Sequence, residues 1–569
     1  MKDKISKLMK PGGIILISIL LLVIIVMIWN FVMDRIIENN LKDIDWIRGN
    51  VEFVIDDAIG DNVYVVKKDE RISAFNMKYQ QVVDENINSL IEKNEYTVDN
   101  PLLIVNPYGT NNLGVNIYFK TDEDSSVAYT ISIDDSKIGD FSRTLKNDGV
   151  GNYTSEHQYQ LIGFVPGYEN EVELVVTNRD GEEEKNKFFI NMESIVCKSD
   201  TILDSVDGES KSALTDGLYV LFGLDKAFKA NSYVYDNDGV LRADLVLADY
   251  RSDRIIFDDG NMYYSYNNNG IAKINRLGKV EKKYILTGYE MHHDYVLDSI
   301  NNKFLVLVNS KDAQDETIED LIISVDLDSG EIEEVVDMKD VMPSIYEEAQ
   351  MPESGRNTYG GTGLDWIHLN SLSVVNDKGD IVISGREIST VIYLEDIYNN
   401  PKLKYLIAEE EVYKDKEYAN KVLTKVGDFV AQAGQHTITY VSDDNLEAGQ
   451  YYLEMYNNNY GSSNTRKSFP WDEYPGVGTY KEGEKSKYYK YLVDENEKTF
   501  TLVESFDVPY SSVVSSVQDV DYNHVTSSGM SNCYNEYDSD GTLIRQFNYS
   551  SKKYAYRVFK YKFNGTWFV

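Results

Sequence analysis

The chain runs to 569 residues and carries 94 Asp and Glu against 56 Lys and Arg, a formal net charge of −38. So acidic a surface repels nucleic acid and anionic lipid, which sets DNA and RNA aside as partners. The length exceeds one ordinary compact domain, a hydrophobic content of 42% is enough for a packed core, and 44 Tyr favour strands over helices.

Lysines 2, 4, 7 and 10 lie in residues 1–11, and residues 12–33 carry no charged side chain before Asp34. About twenty such residues span a bilayer as a helix, and the preceding lysines hold the short N-terminus in the cytoplasm. A cleaved signal peptide would have a shorter apolar run followed by small residues, whereas Asp34-Arg35-Ile36-Ile37 follows here. An uncleaved single-pass anchor in the cell membrane is therefore expected, with the rest of the chain on the extracytoplasmic side. Residues 34–97 read as a mainly helical stalk, interrupted at Gly49 and Gly60.

The texture changes at Asp99-Asn100-Pro101. Short, partly alternating runs at 102–105, 115–119, 127–133, 158–164 and 171–177 predict a small β-sandwich over residues 98–197. His157 reads as a surface-loop residue. From 198 to 569 hairpin turns recur, as at Asn237-Asp238-Gly239, Asp258-Asp259-Gly260, Asp328-Ser329-Gly330 and Ser539-Asp540-Gly541. The predicted class is all-β: a six-bladed β-propeller at about 40–50 residues or more per blade, following the sandwich. The two cysteines, Cys197 and Cys533, allow one bridge or two free thiols.

The chemistry gathers around residues 365–388. Two apolar, β-branched runs flank the turn Asn376-Asp377-Lys378-Gly379, so His368 and Arg386 return to the same end of one hairpin, beside Asn370. Histidine is scarce, with 6 in the chain, yet His292-His293, His368 and His436 all sit in strand-like surroundings. A propeller brings such distant residues together on its axis. Other motifs fail: a strand follows the glycine-rich Tyr359–Gly363 stretch, and Phe547 stands where a calcium loop starting at Asp538 needs a closing Glu.

Three readings of the histidines stay open on the residues alone. They satisfy local hydrogen bonds; they bind a divalent ion with Asp294 or Asp365, which the Arg386 charge opposes; or they grip a tetrahedral oxyanion while one imidazole attacks it. The corresponding functions are a non-catalytic ligand- or protein-binding propeller, a metal-dependent hydrolase or lyase, and a group-transfer enzyme.

Asp365-Trp366-Ile367-His368-Leu369-Asn370-Ser371, Ser384-Gly385-Arg386 and Gly434-Gln435-His436, preceded by His292-His293-Asp294, resemble the signature of bacterial aryl-sulfate sulfotransferases that work without the nucleotide donor PAPS. Residues 99–109 resemble the opening of that family's N-terminal β-sandwich. The resemblance covers roughly residue 98 to the C-terminus. It implies transfer of a sulfuryl group from a phenolic sulfate donor to a phenol acceptor, with no cofactor and no metal. It implies His436 as nucleophile, His368 and Arg386 as holders of the sulfuryl oxygens, Asn370 in substrate binding, and one of His292 and His293 as donor or general acid. Because adjacent strand residues face opposite sides, only one of that pair is expected in the channel, and His293 is the choice. A homodimer is also implied. The anchor and the widely spaced cysteines set this chain apart from the soluble periplasmic members.

Overall fold

The computed structural model describes residues 35, 37–194, 200–223, 231–249, 251–312, 316–357, 360–414, 416–461, 463–466, 470–473, 484–551 and 554–569. The anchor expected over residues 12–33 lies outside the described residues, and among these no helix is long and apolar enough to cross a membrane. Cys197 also lies outside them; Cys533 carries a buried free thiol.

The segment expected to be a stalk is instead part of the first domain. Val51–Ile55 and Val63–Lys68 form an antiparallel hairpin, and the second strand pairs in parallel with Leu102–Val105. Helix Met77–Lys93, capped by the Asn76 side chain, packs on the same sheet. The burial pattern explains why. Along the strand Val115–Ser132 the first five residues are all buried, because Tyr118 faces the helix while Ile117 and Phe119 face the inner core. Farther along, the pattern returns to alternation, with Val127, Tyr129 and Ile131 buried, since water covers the other face. This long strand joins two runs that the sequence separates. It pairs with Thr154–Leu161 over most of its first half and with Phe141–Thr144 and Glu169–Asn178 over its second.

His157 is corrected from loop to core. It lies within Thr154–Leu161, stacked on Phe119 at 4.7 Å, with Nδ1 2.9 Å from the Tyr159 hydroxyl. Burial pushes its ring down to about 4.

Six sheets of four or five strands follow, making a six-bladed propeller. Its innermost strands are Arg557–Tyr561, Ile255–Asp258, Tyr289–Asp298, Leu369–Val374, His436–Val441 and Ser515–Val520, for blades one to six. Those of blades three to six pack against one another in sequence around the axis, and blade six in turn meets the C-terminal strand. The ring is closed twice. The C-terminal strand Arg557–Tyr561 pairs with Leu218–Phe222 of blade one, and Asp204–Asp207 pairs with the outer strand of blade six. Overlapping ends leave no seam at which the sheet circle can open. The first domain is docked on blade one, where fully buried Arg242 donates to the carbonyls of Gly163 and Gly139 and to Asp236.

Candidate active site

The site histidines sit on the innermost strands of blades three to five or just before them, and the backbone there is not regular. His293, His368 and Thr437 have φ of +56°, +54° and +56°, and pairing shifts register at 291–295, 369–371 and 436–439. Three successive blades therefore open with a bulge. Bulges re-aim side chains, and left-handed conformations of non-glycine residues gather at functional sites.

The hairpin of blade four brings His368 and Arg386 together as its turn spacing requires. Val374 pairs with Ile381, Leu369 with Gly385, and the Arg386 N–H donates to the His368 carbonyl at 3.1 Å. The approach to this strand is fixed residue by residue. Trp366 is fully buried and donates to Asp320 of blade three at 2.8 Å, and Ile367 joins the core beneath. Asp365 then turns back to hold His368 Nδ1 at 2.8 Å.

A second carboxylate reaches the same nitrogen. Glu319, in the loop before the strand Leu321–Asp326, places Oε2 2.7 Å from His368 Nδ1. Burial alone would lower the His368 ring, but Asp365 and Glu319 outweigh it and raise the ring to about 10. His368 is thus an imidazolium at neutral pH, anchored through Nδ1 and with Nε2–H as its second donor group.

His436 lives in the opposite field. Its Nδ1 lies 2.7 Å from Asn458 Oδ1 and 3.0 Å from the Gly434 carbonyl, two acceptors that place the ring hydrogen on Nδ1. Burial, and then the Arg386 charge, push the ring down to about 3. The neutral ring keeps a lone pair on Nε2, as a nucleophile must.

His292 and His293 are both buried, with Nδ1 atoms 2.9 Å apart. The two rings meet because they lie on the bulge, where strand alternation is suspended. The His293 ring lies against His368, centroids 4.8 Å apart, and against Tyr556 at 5.5 Å. Burial drives His292 down to about 3 and His293 well below its usual value, with the His368 charge acting in the same direction. Neither carries a spare proton at neutral pH, so the charged donor of this cluster is His368, not the pair.

Asn370 is fully buried, donates to the Gln435 carbonyl at 2.8 Å, and its own carbonyl accepts from Arg557 at 2.8 Å. It ties blade four to the Gly434–His436 turn. Arg386 has Nη1 3.7 Å from Glu387 Oε2, and Glu387 in turn accepts from Ser463 and from the Thr465 N–H.

Glu319, Asn458, Tyr556 and Arg557 were not foreseen. Asn458 stands in the run Asn457-Asn458-Asn459 and Glu319 in a polar loop, and neither setting differs in sequence from an ordinary turn. Their significance arises only from contacts between blades. The sets His292, His293, Glu319 and Glu319, Asp365, His368 bring donor atoms within 4.8 Å of one another, a spacing that suits a divalent ion. The charge balance fits an ion less well: the His368 imidazolium already faces both carboxylates, and Arg386 acts on Glu319 as a further positive charge.

The arrangement sets a neutral imidazole, His436, in the field of a charged imidazole and a guanidinium. It suits attack on a group bearing negative oxygens. Solved structures similar in part include BamB from Moraxella catarrhalis, 10% identical over 65% of this chain and 99% of that one with a TM-score of 0.29. An auxiliary nutrient binding protein from Bacteroides ovatus is 9% identical over 80% of this chain and 93% of that one, with a TM-score of 0.31. No curated protein matches the chain. Residues 102–193 match the arylsulfotransferase Ig-like domain, and residues 204–564, which hold every side chain of the site, match the arylsulfotransferase (ASST) family: the chain belongs to that family.

Proposed function

We propose that this chain moves a sulfuryl group from a phenolic sulfate ester to an acceptor phenol in two steps through a sulfohistidine at His436, without PAPS. The observation that carries the reading is the pairing of His436, neutral with Nδ1 bonded to Asn458 and Gly434, with His368 and Arg386 as cations.

In the first step His436 Nε2 attacks sulfur; the N–S bond forms, the S–O bond to the aryl group breaks, and the phenolate leaves with the electron pair. The sulfurylated ring is more positive than the free one, so its Nδ1–H bonds to Asn458 and Gly434 strengthen as it forms. In the second step the acceptor phenol oxygen attacks sulfur, the S–N bond breaks, its pair returns to Nε2, and the acceptor proton is released. One phenolic ester is exchanged for another, so no nucleotide is needed to drive the reaction. Arg386 and the Nε2–H of His368 hold the sulfuryl oxygens, and preorganised charge of this kind provides most of the lowering of such barriers. The uncharged run at 12–33 supports a membrane-tethered enzyme acting outside the cytoplasm.

The test is the purified full chain with a chromogenic aryl sulfate and excess phenol, in chelator and without PAPS. Chromophore release should depend on the phenol and fall by about 10³-fold or more in His436→Ala. Mass spectrometry of donor-treated enzyme should find the sulfuryl group on the His436 peptide. A folded chain that turns over none of a panel of donors would be a binding propeller instead.

A further inference from the structure

We propose that Glu319 and Asp365 are positioning residues of the transfer reaction: their carboxylates clamp His368 Nδ1 from two blades and so aim its Nε2–H at the sulfuryl group. The proposal rests on the transfer reading above and adds to it a role for two carboxylates: Asp365, at the head of the motif, and Glu319, outside it.

The geometry of Glu319 is unusual for a structural residue. Its φ is +61°, a left-handed conformation that non-glycine residues seldom adopt. It is held there from both sides, its N–H donating to Asn309 Oδ1 at 2.6 Å and its carbonyl accepting from the Leu369 N–H at 2.9 Å. Leu369 directly follows His368, so the backbone clamp fixes Glu319 relative to that ring. The carboxylate is buried, and the groups facing it are His368 at 2.7 Å, His293 Nδ1 at 3.7 Å, Asp365 and Arg386. A buried carboxylate costs several kcal/mol unless paired, and here the pairing is concentrated on one catalytic ring.

Asp365 approaches from the other side. It belongs to the turn that leads into blade four and is itself buried, with Oδ2 2.8 Å from Nδ1. The ring hydrogen is directed at Asp365, and Glu319 supplies a second negative charge on the same nitrogen. With one such partner a buried imidazole is only oriented. With two it also stays charged against burial, and the charge acts through the ring at Nε2. The donor that faces the reacting group is then fixed in place before substrate arrives, which is where electrostatic stabilisation is most effective.

The experiment uses the full chain with Glu319→Gln and Asp365→Asn, which keep shape and remove charge. Two readouts are taken. In protein labelled with ¹⁵N-histidine at neutral pH, wild type should show two imidazolium rings, His368 and His524, the latter raised to about 9 by Asp519 and Glu504 despite its burial. The His368 signal, assigned with His368→Gln, should lose its charged signature in both variants while that of His524 persists. In turnover over donors of graded leaving-group acidity, kcat should fall by about 100-fold with donor KM within about threefold. The loss should be greatest for the least acidic phenols. The proposal is overturned if His368 is neutral in wild type or stays charged in both variants. It is equally overturned if the variants keep kcat, or if they lose it equally for every donor in step with their folded fraction. If wild type carries the His368 charge but turns over no donor, the transfer reading fails and the positioning claim fails with it. If transfer holds while His368 is neutral, only the positioning claim falls.

Discussion

His436 and His368 are the same side chain in opposite electrostatic settings, and the division of labour follows from what their Nδ1 atoms touch. Carbonyl oxygens stabilise a neutral ring by taking its hydrogen; carboxylates stabilise a charged one. The rings at about 3 and about 10 bracket the neutral range. Under the proposed two-step transfer, this sets the pH dependence of the first half-reaction. His436 must be neutral, so its contribution is lost only as pH falls through about 3; His368 must be charged, so its contribution is lost as pH rises through about 10. Single-turnover release of a chromophore, without acceptor, should be flat between about pH 5 and 8. A limb near pH 6.5 would mean that one of these rings titrates as a free histidine and that the assignment is wrong. The residue types of the site were legible in the sequence, because scarce histidines with Gly or Asp beside them stand out. Their protonation states were not, since each depends on a partner from another turn or blade. His157 marks the other limit: polar neighbours in sequence gave no sign that its ring stacks on Phe119.

At the scale of elements, turn chemistry transmitted well and alternation did not. The Asn376–Gly379 turn fixed the hairpin and so the meeting of His368 with Arg386, and Gly379 holds φ of +80° there. The bulges at the strand mouths carry no comparable signal, and they decide that both His292 and His293 enter the cluster. The segment before residue 98 was misread for a related reason. Val51–Ile55 and Val63–Lys68 are short and half-buried, so their β-branched residues were outweighed by the polar helix that follows. Gly434 gives this scale its test. Its φ is +63°, and a Cβ there would lie 2.6 Å from the Tyr460 carbonyl oxygen, so Gly434→Ala must shift the turn. That turn presents the carbonyl bonded to His436 Nδ1. The variant should be less stable by about 1–3 kcal/mol, and it should lose kcat well beyond its loss of folded protein. Thermal melts and sulfuryl loading of His436, measured on the same samples, separate the two effects. Loading at the wild-type rate would show that the Gly434 carbonyl is dispensable to the nucleophile.

The closure of the ring and the construction of the site are one problem in this molecule, and Arg557 joins them. It stands at the start of the C-terminal strand that completes blade one, fully buried, with Nη1 2.9 Å from Asp294 and Nη2 2.8 Å from the Asn370 carbonyl. Asp294 follows His293 in blade three, and Asn370 lies two residues beyond His368 in blade four. The last strand therefore reaches to the Asp294 carboxylate of blade three and to the Asn370 backbone of blade four. Length and turn spacing accommodated six blades and the family resemblance implied that number, but this cross-axis tie was not legible, because its partners are 187 residues apart in one case. Asp294 is also gripped by Arg254 through two hydrogen bonds of 2.7 and 2.9 Å, so it keeps one cation when Arg557 is removed. Arg557→Met, which fills similar volume without charge, should then lower stability by less than the roughly 3–5 kcal/mol that stranding a buried charge costs. Asp294→Asn should cost at least as much, since it strands two guanidinium groups. In the double variant the two losses should fall short of their sum by 1 kcal/mol or more, roughly the range for residues in direct contact. Urea unfolding of the four proteins measures this, and the same samples report kcat. Losses that add within about 0.5 kcal/mol would show that the pair is not coupled. Arg557 would then be holding the strand through packing alone, and the site would owe its geometry to blades three to five without the closing strand.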